Sequence, residues 1–206
     1  MSDRPDSHMT TTRIILAGVL GGIAMFIWSF IAHDVLPLGH TGVGEIPNEQ
    51  AVLTAMQTGI GNKAGLYFFP GFGLGDNPTR EQKSEAMKQM NEKFANNPSG
   101  LLMYYPAGGR LISFGKLLTV EFTTELLESI LAVFLLAQTG IASFGGRVGF
   151  ILVVGILAAA ATNVSYWNWY GFPSAYIAAY MFIEIVGFLC VGLVAALVLR
   201  SQKAEV

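Results

Sequence analysis

Glu121, Glu125 and Glu128 lie within Leu117–Leu135, LLTVEFTTELLESILAVFL, a stretch otherwise dominated by apolar residues. Spacings of four and three put the three carboxylates on one helical face. A charge at the centre of hydrocarbon costs about 2.5–3.5 kcal/mol on insertion scales. Such a stripe is expected to face a bundle interior, a water-filled cavity, a metal or a partner chain. Stacked carboxylates suit a proton or cation path. With a histidine from another helix they are also the raw material of a bundle metal centre. The weak candidates for such a centre are His33, Glu121 and Glu125. The Glu-x-x-His pairs usual in bundle metal sites are missing, and the sequence indicates no cofactor.

The elements that must position these groups are apolar and long. Only 13% of the 206 residues are charged against 52% hydrophobic, where ordinary soluble domains carry about 25% charged residues. Ile14–Ala32 contains no charged residue, and at 1.5 Å per residue it can cross a core about 30 Å thick. Gly18 and Gly22 within it form a small-xxx-small pair suited to close helix packing. Trp28 is of the interfacial type, and Pro37 stops the helix. Val148–Ile183 is also free of charge and too long for one ordinary span. It reads as a hairpin broken at Trp167–Pro173, with Trp167, Trp169, Tyr170 and Tyr176 as an aromatic belt.

Residues 35–110 hold 12 of the 26 charged residues and six of the eight prolines. A short helix is expected from Asn48 to about Gln57, with Val52, Leu53 and Met56 available to bury. Thr79-x-x-Gln82 fits a capping box opening a helix to about Asn96. Met87, Met90 and Phe94 line one face of that helix. Flanking it, Gly65–Gly71 and Gly100–Ala107 both open on Gly-Leu and close on aromatic-aromatic-Pro-small, with one residue more between in the second. They are predicted to be two short extended segments lying near each other.

The resulting layout is a tail at 1–12, spans at 13–34, 111–138, 148–170 and 174–199, an insertion at 35–110, turns at 139–147 and 171–173, and a tail at 200–206. Lys116 is placed to snorkel from the start of the second span. Arg4, Arg13, Arg147, Arg200 and Lys203 fall at both termini and in the 139–147 turn, while the 171–173 turn has no basic residue. The positive-inside rule then puts both termini in the cytoplasm and residues 35–110 outside. The fold class expected is an all-α membrane protein, a four-transmembrane-helix bundle with a small α+β extracytoplasmic insertion between helices 1 and 2. A bacterial inner membrane is the expected location.

This orientation orders the polar groups by depth. His33 and Asp34 lie at the outer end of span one. Glu121 is shallow, and Glu128 is about 10.5 Å further down the same helix. Asn163 and Asn168 lie in the outer part of span three, and Glu184 about midway down span four. Glu121, Glu125, Glu128, Asn163, Glu184 and His33 therefore form a candidate intramembrane cluster for a ligand, ion or proton. The glutamates also have a purely structural use, as hydrogen-bonded ties between helices. Thr123, Thr124, Asn163, Tyr166 and Tyr180 are the candidate partners. Asn163-Val164-Ser165 matches a glycosylation sequon, but within a span it is not read as one.

Several classes are excluded. A net charge of −2 without a basic block argues against nucleic acid. The single Cys190 allows no internal disulfide. There is no nucleophile elbow, Walker loop, His-Glu-x-x-His or Cys-x-x-Cys. Gly71–Gly75 reads as a flexible turn. The leading expectation is a non-enzymatic accessory or assembly subunit of a larger membrane complex, or a homo-oligomer. Its partners are the lipid bilayer and other chains or copies of itself. The alternative is a proton or cation conduit, or a small membrane enzyme, using Glu121, Glu125, Glu128 and Glu184.

Overall fold

The computed structural model describes residues 10–200. Arg4, His8, Lys203 and most of the two tails fall outside the described residues. The chain divides into two compact units, with Glu45–Ile112 forming the second.

The first unit is built from four long helices: α1 (Thr11–Phe30), α4 (Phe114–Ala137), α5 (Phe144–Tyr170) and α6 (Ser174–Val198). The shorter α2 (Glu49–Ile60) and α3 (Arg80–Asn96) belong to the second unit. Helix α1 does not end at Phe30. It loosens into a π turn over Ile31–Val35, closed by the Leu36 N–H on the Ile31 carbonyl at 2.7 Å. Three helices, Thr11–Val35, α5 and α6, are long and apolar enough to cross a membrane. Helix α4 is as long but carries the three glutamates.

Glycines set the helix register. A Cβ on Gly18 would lie 2.9 Å from the Ile130 Cα, and one on Gly22 would lie 2.8 Å from the Leu126 Cα. Four residues up α1 thus match four residues down α4. The two run antiparallel with backbones in direct contact, as the small-xxx-small pair predicts. The Ser129 hydroxyl donates to the Gly18 carbonyl at 2.8 Å in the same seam. On the neighbouring side, Gly187 receives Met25. Gly155 and Gly192 seat Phe188 and Val148 between α5 and α6. The neighbours therefore run α5, α6, α1, α4, while α4 touches α5 and α6 only thinly. One half of this bundle is a dry core, where Val133, Leu136, Ile151, Val191 and Ala195 are all 0% exposed.

The indole N–H of Trp28 donates to the Ile183 carbonyl at 2.8 Å, tying α1 to α6. One expectation is corrected here: Arg147 does not lie in a solvent turn. Ser143 caps α5, so the helix starts at Phe144 and carries Arg147 inward. Its guanidinium donates to the Ile141 carbonyl at 3.1 Å and to the Leu199 carbonyl at 2.6 Å. It thereby satisfies a carbonyl at the C-terminal end of α6, where a cation also complements the helix dipole.

In the second unit, β1 (Gly65–Phe69) pairs antiparallel with β2 (Gly100–Tyr104). Register runs from Gly65 opposite Tyr104 to Phe69 opposite Gly100. The two aromatic segments thus meet as expected, with α3 between them in sequence. The capping box is present in both directions, Gln82 N–H to Thr79 and Thr79 N–H to the Gln82 side chain. Glu81, in the first turn, has its carboxyl held below the usual range by a backbone N–H and by the Thr79 hydroxyl. Met87 is exposed, however, and Ala86 is the buried residue of α3. Phe94 meets Phe68 at 5.9 Å and Lys93 Nζ binds the Gly71 and Phe72 carbonyls, which rotates α3 about its axis relative to the expected face. Helix α2 buries none of its residues, Val52, Leu53 and Met56 included. The unit begins at Glu45, later than the expected 35, because Gly42 packs its backbone against Tyr176 of α6.

Replacing Gly22 by Val should lower stability by about 1–3 kcal/mol through overpacking against Leu126. Gly149→Ala, where a Cβ meets nothing within 4 Å, should not. Thermal unfolding in mild detergent separates the two.

Candidate functional site

Where α4 leaves α5 and α6, a cavity of about 550 Å³ opens between the helices. It is lined by Ser29, His33 and Asp34 from α1 and its π turn, by Glu121, Glu125 and Glu128 from α4, by Thr162 from α5, and by Tyr180 and Glu184 from α6. All three glutamates of α4 thus share one wall, as their spacing predicts. At the α1 C-terminal end, Asp34 and Glu121 are exposed; further in, Glu128 and Glu184 are half-buried. Beyond them the dry core begins, with Ala132 2% and Val133 0% exposed.

Glu125 is the most deeply placed acid, at 4% exposure. Its Oε1 accepts a short hydrogen bond from the Ser29 hydroxyl. Its Oε2 has no partner among the described residues. An unpaired buried polar group costs about 1–3 kcal/mol, more when charged, so this enclosed oxygen beside the cavity is a destabilising group.

Ser29 is itself locked in place. The Nδ1–H of His33 donates to the Ser29 carbonyl at 2.8 Å. Because a carbonyl can only accept, that hydrogen bond places a proton on Nδ1. The loop after the π turn seals this arrangement, since a Cβ on Gly39 would fall 2.3 Å from His33 Cδ2. The His33 ring also meets Tyr180 edge to face, with centroids 6.0 Å apart. Asn163 does not line the cavity; it is 7% exposed and supports Glu184 on the opposite wall, donating through Nδ2 to Glu184 Oε2 at 3.2 Å and to the Ala159 carbonyl at 3.0 Å.

Asn163 is thus the expected neighbour of Glu184. The other expected ties to the glutamates take different partners. Thr123 and Thr124 donate to carbonyls four residues back in their own helix. Tyr166 packs on Tyr170 and Phe172. Asn168 does not line the cavity. Ser29 was legible in principle, because it stands four residues before His33 and so shares its helical face. Nothing in the sequence singled it out from other small polar residues in spans. His33, Glu121 and Glu125 all line the cavity, but among the described residues no three His, Cys, Asp or Glu side chains converge as a metal site would require.

Ser29→Ala should cost about 1–3 kcal/mol, since it leaves both Glu125 oxygens buried without a partner. Adding Glu125→Leu should recover much of that loss. Unfolding midpoints of the single and double variants in one detergent check both statements.

Comparison of the chain with protein-family models, with curated proteins and with solved structures finds no match.

Proposed function

We propose that this chain is a four-span integral membrane protein that holds a proton or cation in a one-ended acidic cavity. The observation that carries this reading is Glu125, buried at the cavity wall with one oxygen hydrogen-bonded to Ser29 and the other unpartnered. Glutamates serving only to tie helices together would spend both oxygens on neighbouring helices. Here only Glu125 Oε1 and Glu184 Oε2 are so used among the described contacts. The dry core at the far end supports a pocket entered from one side, not a continuous path.

In this reading α4 is the fourth span. Its glutamate stripe faces the cavity and its Leu127, Leu131 and Phe134 face lipid, all of them exposed. Both termini lie in the cytoplasm and residues 45–112 outside, so the cavity mouth faces the outer side. A bacterial inner membrane suits this layout.

A second reading, an accessory or assembly subunit or a homo-oligomer, is favoured by one observation. Helix α4 leans on α1 alone for most of its length, and Glu121 on it is exposed. A partner covering that side would remove a carboxylate from lipid. Purification in mild detergent with mass spectrometry of co-purifying chains tests this reading.

Two measurements test the first. Ser99→Cys should react with a membrane-impermeant maleimide added to intact cells, and Ser143→Cys should not; the reverse pattern contradicts the orientation. Glu128→Gln should leave the unfolding midpoint unchanged or raised, because a site group contributes little to stability. A drop equivalent to about 1 kcal/mol or more, or loss of a bound partner chain, assigns the glutamates to structure.

A further inference from the structure

From the walls of the acidic cavity we infer that its ligand is a protonated organic amine with an apolar portion. The inference rests on the proposed cation-holding role of the cavity and names the class of cation. Three independent observations point there.

The first is size. A single metal ion or a proton needs no space of about 550 Å³, whereas pockets for small organic molecules run from roughly 300 to 1,000 Å³. The second is the spread of the acids. Glu121, Glu125, Glu128 and Glu184 line different levels of the cavity, and no three acidic or histidine groups converge on a point. An inorganic cation stripped of water needs such convergence. An ammonium group needs only one or two acceptors, with other carboxylates supplying field. The third is the chemistry of the wall. Glu125 Oε2, on a side chain 96% buried, lacks a donor, and an ammonium N–H is the donor that it lacks. Around it stand Met25, Phe26, Phe30, Leu118 and Tyr180. These apolar and aromatic surfaces do nothing for a hydrated metal ion but bury a hydrocarbon portion and can face a cation with their rings.

The ammonium group therefore sits at Glu125, whose Oε2, enclosed by its neighbours, turns toward the cavity to accept from it while Ser29 occupies Oε1. The apolar portion extends toward the mouth along Phe30 and Leu118. Glu184, held by Asn163, faces it from the opposite wall. Ser29, whose hydroxyl donates to Oε1, is a positioning residue for Glu125.

Phenethylammonium is a suitable probe, with propylbenzene as its uncharged counterpart of equal shape. Titrate each into the full-length protein in nanodiscs at neutral pH by calorimetry, with Zn²⁺ as a third titrant. Phenethylammonium should bind at one per chain and propylbenzene much more weakly. Glu125→Gln should weaken the amine by about tenfold or more, the value of a hydrogen bond between charged groups. Phe30→Ala should weaken it less, and the same change in propylbenzene binding identifies the apolar share. If Glu125→Gln does not fold, Glu128→Gln, with no side-chain partner among the described contacts, reports the loss of field instead. Equal binding of propylbenzene, or amine binding unchanged in both glutamate variants, overturns the inference. So does stoichiometric Zn²⁺ binding without amine binding, which would leave a cation-holding cavity intact but change its ligand class. Failure of the broader reading would look different, as a loss of fold in Glu128→Gln.

Discussion

The backbone contact between α1 and α4 at Gly18 and Gly22 is what the rest of the bundle depends on. Only residues without a Cβ allow the Ile130 and Leu126 backbones to come this near. The contact fixes the antiparallel register, and with it the height at which the glutamate stripe of α4 meets α1. Two turns of α1 beyond Gly22, Ser29 lands against Glu125; within the contact itself, Ser129 lands on the Gly18 carbonyl. In lipid, where apolar surface gains little by leaving hydrocarbon tails, such close packing and interhelical hydrogen bonds supply the association energy.

Packing and polarity are separated along the bundle axis. The half toward the α4 C-terminus is filled by Leu136, Ile151, Val191 and Ala195, and is pinned at its end by Arg147 on the α6 terminus. In the other half the helices part around carboxylates. A protein built only for stability would fill that space, because a vacant buried acceptor such as Glu125 Oε2 is a standing cost. The π turn adds to the picture. It lets α1 carry His33 and Asp34 over the cavity instead of ending at Phe30. Single π turns of this kind are found frequently at functional sites.

Much of this was legible in the sequence. The helix limits, the glycine pair, the single face of Glu121, Glu125 and Glu128, the pairing of Asn163 with Glu184 and the meeting of β1 with β2 all follow from periodicity, turn residues and charge. What escaped depended on three-dimensional register. Trp28 and Arg147 have the residue types of membrane anchors, yet both donate to carbonyls of α6. Ser29 became visible only once α1 and α4 were set side by side. Of the expected face of α3, Phe94 packs on Phe68 of β1 but Met87 stays exposed, because Lys93 takes its partners from the segment after β1 and Ala86 turns inward. Length alone does not make α4 a span: with its three glutamates it falls outside the three helices apolar enough to cross a membrane.

The central claim is that Glu125 is the acceptor at which a cation docks. Infrared difference spectroscopy of the protein in nanodiscs, with and without phenethylammonium, reads the carboxyl groups directly. A ligand-induced carboxyl band that disappears in Glu125→Gln is the result this account predicts. A spectrum without such a band, or one that persists unchanged in the variant, would contradict it.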